Sequence, residues 1–418
     1  MFSILNIRVG FYLAVRQLRR ASLWTTGLIV FVMLLTFLNL VVVTGILVGL
    51  IEGINESYRT QYTGDVILSA LPTKNYIEDT PGVIAFVTTL PQVSAFTKRY
   101  QAGGTIEANY LTRTDPTEKP NATGAQIIGI EPAAEDAFTG LAGHIIEGQY
   151  LAEGDYDRIL VGNYLLSKYA FGEQPGLTPL DDVAPGTKVR LTVNGATREV
   201  VVKGVVESKI GELAMSVFLP AAELRTLAGR ADQNVAQIAI RLTSGSDPIA
   251  FKNLLLGSGI GEKARVQTFE DSIPNGVADI KTTFAMLGNG FSSIGLVVAA
   301  ITIFIVIFIN AITRRKFIGI LKGIGISGEA IEISYIFQSL FYAVIGSLIG
   351  LVVLYGLLVP AVAAHPIDFP FSDGILVAPA GGTAVRIFLL VLTTVIAGYL
   401  PSRMIVRRNT LDSILGRN

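Results

Sequence analysis

Residues able to do covalent chemistry are scarce in this chain, and none stands in a working constellation. Gly325-Ile326-Ser327-Gly328 spells a G-x-S-G serine-nucleophile motif, and the base it would need is His365. A serine nucleophile works only within hydrogen-bond reach of its base. Here a whole apolar stretch, long enough to cross approximately 30 Å of hydrocarbon, separates the two. The spacing instead predicts Ser327 as a helix N-cap, with Glu329 in the first turn favouring the helix dipole. The other histidine, His144, belongs to no metal-ligand spacing such as H-E-x-x-H. No G-x-x-x-x-G-K-[ST] occurs, so nucleotide binding through a P-loop is excluded. With no cysteine, disulfides and thiolate metal sites are excluded as well. We expect no catalytic residue, no directly bound cofactor and no metal.

The informative chemistry lies in where the positive charges fall. Arg8, Arg16, Arg19 and Arg20 precede an uncharged apolar stretch that runs on to residue 51. Arg314, Arg315, Lys316 and Lys322 separate a second stretch from a third, and Arg403, Arg407, Arg408 and Arg417 follow a fourth. The connection 361–385 has no Lys or Arg but carries Asp368 and Asp373. Basic residues beside spans stay cytoplasmic. Both termini and the 314–331 loop are therefore expected inside a plasma (inner) membrane, with 52–281 extracytoplasmic. The composition agrees: half the residues are hydrophobic, 16% are charged and the mean hydropathy is +0.54. Residues 52–281 hold 28 acidic and 20 basic side chains, a net charge of −8. The basic residues sit where anionic lipid lies, so nucleic acid is not an expected partner.

The expected fold is thus a membrane protein with four transmembrane helices and a large α+β extracytoplasmic domain inserted between the first and second spans. Residues 1–22 read as a cytoplasmic amphipathic elbow helix, with Ile4, Ile7, Phe11, Val15 and Leu18 at helical spacing. The spans are 23–51, 282–313, 333–360 and 384–402. The first is too long for a signal peptide and has no small-residue cleavage site after it. The last is short, and Arg386 snorkels to the outer interface. Ile273, Val277, Ile280, Phe284, Leu287 and Phe291 make a heptad seam across the membrane boundary. Ser272 as N-cap and Pro274 in the first turn mark its start. Together with Ile51, Ile54, Tyr58 and Tyr62 this predicts a stalk of two helices.

Outside, strands are expected at 65–70, 126–130, 158–161, 189–193, 199–206, 217–219, 237–242 and 265–269, with Asn194-Gly195 as a hairpin turn. Helices are expected at 132–140, 163–171, 220–228 and 247–256. These elements suggest two lobes, one inserted at roughly 132–230. Gly45, Gly49 and Gly53 form a close-packing ladder, for a contact within one chain or, as favoured here, between two copies, and Gly346 with Gly350 forms another. The spans hold no carboxylate, and Asn39, Asn310 and Gln338 are their main polar residues. An ion-coupled carrier is therefore disfavoured. Between the second and third spans, Phe317, Ile320, Leu321 and Ile324 fall on one helix face beside Lys316 and Lys322, a helix able to lie on lipid or dock in a protein groove.

That loop resembles a known family. Residues 315–327, RKFIGILKGIGIS, are similar to the "(R/K)-x-E-I-G-I-L-(R/K)-A-x-G-A-S" segment of FtsX-like permeases. Residues 398–403 and 409–415 are similar to the family's "Y-P-A-R-R" ending. Gly129-Ile130-Glu131-Pro132, Ile146-Glu147-Gly148 and Ile159-Leu160-Val161-Gly162 resemble the marks of MacB-type periplasmic core domains. The resemblance implies a permease subunit of a mechanotransmission ABC transporter, nearest in layout to the lipoprotein-releasing LolC/LolE-like type. It implies that 282–418 is an FtsX-like domain. It also implies a separate cytoplasmic ATPase supplying ATP and Mg, a second permease copy or paralogue, and an extracytoplasmic substrate or adaptor. Lys316, Phe317, Ile320, Leu321, Lys322 and Ile324 would form the coupling helix. Phe317 replaces the family's acidic residue, and Gly323 and Ile326 replace alanines.

Overall fold

From residue 23 the chain meets no charge before Glu52 and no proline before Pro72, and it coils into one long helix. The computed structural model describes residues 4–113, 119–170, 178–365, 367–369, 372–374 and 376–406. The elements in order are α1 (Ile4–Arg19), α2 (Leu23–Tyr58, closed by a π turn Arg59–Thr63), β1 (Val66–Ser69), α3 (Thr80–Thr88), β2 (Val93–Glu107) and β3 (Ala122–Ile130). Then come α4 (Pro132–Thr139), β4 (Ile145–Gly148), β5 (Arg158–Gly162), β6 (Lys188–Val193), β7 (Ala196–Val206), α5 (Gly211–Ala214), β8 (Ser216–Pro220) and α6 (Ala221–Leu227). They are followed by β9 (Gln237–Leu242), α7 (Pro248–Gly257), β10 (Arg265–Thr268), α8 (Phe269–Ser272), α9 (Asn275–Thr313) and α10 (Arg315–Gly323). Last are α11 (Gly328–Val353), running through a π turn Leu354–Leu358 into α12 (Val359–Ala364), and α13 (Ala380–Val406).

Among the described residues, four helices are long and apolar enough to cross a membrane: Leu23–Thr63, Asp279–Thr313, Gly328–Ala364 and Ala380–Val406. The fourth is 27 residues long, so Arg386 lies inside its second turn rather than at its edge. The chain divides into two compact units, Met1–Ile51 with Asp279–Ile367 and Gly374–Asn418, and Glu52–Ala278 with Asp368–Asp373.

The first unit packs through glycines. A Cβ on Gly346 would lie 2.5 Å from Met33 Cβ, and one on Gly350 would lie 2.2 Å from the Phe37 ring, so α11 and α2 touch at van der Waals limits. Gly398 of α13 sits on Ser339 of α11, and Gly288 and Gly295 of α9 face α2 at Leu47 and Asn39. Helix α1 lies along α11, with Gly10 against Ala330 and Ile333. Its buried face is Gly10, Leu13, Ala14 and Gln17, and Gln338 Nε2 donates to Gln17 Oε1 at 2.8 Å. The expected apolar face is the outer one: Ile4, Ile7 and Phe11 are exposed. The elbow therefore has a protein side and an apolar side, because its small residues, not its largest, permit close approach to α11.

The second unit is built on one mixed sheet in the order β10-β1-β9-β2-β3-β8-β5-β7-β4, with β6 pairing both β2 and β7. The eight expected strands are present, and the hairpin between β6 and β7 has Asn194 and Gly195 at φ 50° and 83°, as a type I′ turn requires. The two halves of this sheet meet in one strand. β2 pairs β9 over Val93–Arg99 and β6 over Gly104–Glu107, so it belongs to both halves of the sheet. One buried cluster, including Val66, Ile106, Leu191 and Ile240, runs beneath them. The helix expected at 163–171 is only a short turn, Asn163–Leu165. Leu166 instead bridges Leu180; residue 171 lies outside the described residues, as do 407–418.

Candidate functional site

Two constructions stand out, one in each unit. The first is α10. Ile318 and Leu321 are buried at 3% and 7% exposure, whereas Phe317, Ile320 and Ile324 stand out at 47%, 53% and 71%. Leu321 was expected on the outward face, but the helix turns it inward with Ile318, where it joins the core of the first unit. Lys316 is exposed, and Lys322 Nζ donates to the carbonyl of Val406 in the last turn of α13 at 2.6 Å. The helix stops in a Schellman motif: Ile326 N donates to Leu321 O and Gly325 N to Lys322 O, both at 3.0 Å. Gly325 has φ 92°, a conformation that residues with a side chain rarely adopt.

Ser327 then caps α11, accepting from Ala330 N at 3.2 Å, and its hydroxyl donates to Asn6 Oδ1 at 2.9 Å. Asn6 in turn donates to Glu329 Oε2 at 2.9 Å. The G-x-S-G motif is thus one helix stop followed by one helix start. His365 lies just past the far end of the 37-residue helix Gly328–Ala364, roughly 55 Å away at 1.5 Å per residue.

The second construction grips the end of α2. Ile54 and Tyr58 are buried among Ile128, Ile130, Leu160 and Phe218, and Tyr58 OH donates to Glu212 Oε2 at 2.7 Å. Beyond them the helix carbonyls lack intrahelical partners and carry the negative end of the dipole. Arginines meet them. Arg99 Nη1 donates to Tyr62 O at 2.7 Å, and Arg241 Nη2 to Thr60 O at 3.4 Å and to Phe138 O. Arg99 also lies 5.1 Å from the Tyr62 ring centroid. This guanidinium is 1% exposed; it is neutralised by Glu135 of α4 at 2.6 Å, which accepts from Thr97 Oγ1 at 2.8 Å as well. Gly64 follows at φ 67°, with Ile240 O filling the place of a side chain. Strands β2 and β9 and helix α4 therefore all hold one helix end.

A profile of the MacB-like periplasmic core domain matches residues 26–256, more than half of the chain. The chain belongs to this permease family. A profile of the FtsX-like permease C-terminal part matches residues 289–410. Among solved structures, the periplasmic region of MacB from Actinobacillus actinomycetemcomitans is similar over 52% of this chain and 94% of its own, at 15% identity and a TM-score of 0.35. A permease-assigned domain from Porphyromonas gingivalis is similar over 50% and 93%, at 18% identity and a TM-score of 0.32. No curated protein matches. With four helices apolar enough to span a membrane, this chain is a multi-pass membrane protein of the MacB-like permease family whose C-terminal part is FtsX-like.

Other residues singled out in the permease sequence fall elsewhere. Gly45 has contacts within the chain: Val377 N donates to its carbonyl at 3.1 Å, and a Cβ there would meet Leu376 at 2.8 Å. Gly49 is buried and Gly53 half-buried. Gly346 and Gly350 hold α2. Of the seam residues, Val277 packs on the Ile54 and Tyr58 cluster, Ile273 and Phe284 are half-buried, and Ile280 is 41% exposed. Ser272 is not the cap of α9. It closes α8, whose cap is Thr268 in a box with Asp271, and Pro274 directly precedes Asn275. Arg99, Glu135 and Arg241 were missed. Nothing in the sequence marks Glu135 or Arg241, and Arg99 shows only as a cation beside Lys98.

A titrating group lies deep in the second unit. Glu223 of α6 is fully buried; Asp157 N donates to it at 3.2 Å and Arg198 Nε is 3.5 Å away. Burial pushes its carboxyl up to about 7, against the pull of Arg198 and with the help of Asp157. Unfolded, it titrates at the ordinary value of 4.5. The folded state thus binds the extra proton between the two values, and its stability declines as pH rises through about 7. The unfolding midpoint of the full chain should fall from about pH 5 to about pH 8, by a stability on the order of 1–3 kcal/mol, and Glu223→Gln should flatten that slope. An unchanged slope in the variant would remove Glu223 as its source.

Proposed function

We propose that the chain is the membrane subunit of an ATP-driven permease in which a separate cytoplasmic P-loop ATPase docks on α10. The observation that supports this is the outward row Phe317, Ile320 and Ile324, held rigidly from behind by Ile318 and Leu321 and bordered by Lys316. An apolar helix face with a cationic rim suits a protein groove on the inner side of a membrane. Basic residues at both termini and at α10 support a cytosolic position for this end of the first unit and an extracytoplasmic one for 52–281. A second permease copy, or a paralogue, would cover α9, whose exposed side carries Asn289, Gly290 and Ser293 among apolar residues. Closure of the ATPases would then move the two long helices and do work on the outer side, such as release of a lipoprotein or export of a substrate.

Ile320→Asp tests this. The variant should fold as the wild type does, because Ile320 is exposed, while Leu321→Asp would disrupt the core. Co-purification of an ATPase and permease-stimulated ATP hydrolysis should both fall at least roughly tenfold. Unchanged stimulation would sink the docking role. Absence of any ATPase from the wild-type preparation under mild detergent would favour a scaffold that regulates an external partner.

A further inference from the structure

The strand order leaves a notch in the sheet of the second unit. β2 pairs β3 without interruption from Tyr100 to Glu107. On its other edge β9 covers Val93–Arg99 and β6 covers Gly104–Glu107. Among the described residues, no strand takes up the edge between them. The carbonyl of Arg99 faces this edge, accepting from Ala236 N at 3.0 Å. Alternate residues of an antiparallel strand turn their main-chain groups to the same edge, so Gln101 and Gly103, in phase with Arg99, turn theirs into the notch. An open strand edge is a template for another extended chain.

The notch is also a cavity of about 660 Å³, within the usual size of ligand sites. Its wall is rich in carboxamides, from Asn75, Gln101, Gln126, Asn194 and Gln237. A carboxamide matches a peptide group donor for acceptor. Gln237 Oε1 is buried with no hydrogen-bond partner in the chain. The charged groups of the wall are already engaged: Lys74 with Glu78 at 2.5 Å, and Arg230 with Asp232 at 2.5 Å. Arg230 also stacks on Tyr76, 4.5 Å from the ring centroid. The lining therefore suits an uncharged ligand.

We propose that the notch beside Gln101 and Gly103 binds an extended, uncharged stretch of polypeptide from a partner, main chain against main chain. Gln237 donates from Nε2 to Tyr62 OH at 3.1 Å, and Tyr62 is the residue whose carbonyl Arg99 holds. A bound strand would thus touch the same group of side chains that grips the end of α2. The inference goes beyond the ATPase reading and survives its failure, since only the geometry of this unit enters it.

The test uses the full chain in detergent and a labelled, capped pentapeptide of alternating valine and threonine. Saturable binding is expected, weakened at least roughly tenfold by Gly103→Leu and by N-methylation of the central peptide amide. A Cβ on Gly103 meets no atom within 4 Å, so the leucine fills the notch without straining the strand. Gln101→Leu serves as the second variant should Gly103→Leu lower the unfolding midpoint. The proposal is overturned by absence of saturable binding to wild type at millimolar peptide, by equal binding to the folded variants, or by equal binding of the N-methylated peptide. Binding of a neutral oligosaccharide in place of the peptide overturns it too.

Discussion

Glu135→Ala is expected to destabilise the second unit by about 3–5 kcal/mol, because it leaves the Arg99 guanidinium charged and buried without its counter-ion. Arg99 is 1% exposed and Glu135 2%, so water cannot take over. Thr97 Oγ1 would lose its acceptor at the same time. The expected readout is a lower unfolding midpoint of the full chain and faster proteolysis between residues 52 and 278. A loss below about 1 kcal/mol would show that the pair is not sealed from solvent. The double replacement Arg99→Met with Glu135→Leu removes both charges together, and most of the stability should return. It would nevertheless leave Tyr62 O without its arginine donor. On the proposed function, a contact that transmits movement from α2 predicts that the double variant folds well and yet shows weaker coupling between ATP hydrolysis and external work. Full coupling would assign Arg99 a purely structural role.

The second large effect is expected in the first unit, at Gly346. A methyl group there would come 2.5 Å from Met33 Cβ and 3.1 Å from the backbone nitrogen of Leu34. Backbone cannot rotate aside as the end of a side chain can, so Gly346→Ala must push α11 away from α2. Overpacking of this kind costs about 1–3 kcal/mol, and Gly346→Leu should prevent a monodisperse folded preparation. Gly350→Ala offers the internal control. Its obstacle is the Phe37 ring, 2.2 Å away, so pairing it with Phe37→Leu should recover part of the loss. No recovery in that double-mutant cycle would mean that the two positions are not in contact.

Arg99 and Glu135 show what was legible in the sequence. Strands rich in valine and isoleucine, such as β1, β7 and β9, declare themselves by composition. β2 does not: its fifteen residues include Lys98, Arg99 and the pair Gly103-Gly104. Each feature argues against a strand locally, and each is explained only by a neighbour distant in sequence. Arg99 is tolerated because Glu135 and the end of α2 meet it. Gly104 is needed because Thr192 O of β6 lies 2.7 Å from where its Cβ would be. The elbow helix misled in the opposite sense. Ile4 and Ile7 of its expected apolar face are exposed, whereas Gly10, Leu13, Ala14 and Gln17 make the buried face.

α10 lies between these cases. The sequence showed a short amphipathic helix, yet Leu321 and Ile320 are adjacent and equally apolar, and periodicity alone grouped them on one face. Burial separates them, at 7% and 53% exposed, because the end of α13 and the start of α11 cover only one side. Gly45, Gly346 and Gly350 lie at points of close approach. Which helix approaches was not readable from them, since spacing along one helix does not name the surface across from it.

By itself, then, the amino-acid order determined the number of long apolar helices, the large inserted α+β block and the amphipathic segment after the second long helix. Those follow from local hydrophobic period and from turn chemistry, which neighbouring residues settle among themselves. Only the tertiary structure decided that β2 joins both halves of the sheet, that Arg99 and Glu135 seal the end of α2, and that a notch opens between β9 and β6. These depend on the free energy of burying a charge or leaving a strand edge bare, and that is fixed by residues brought together from far along the chain.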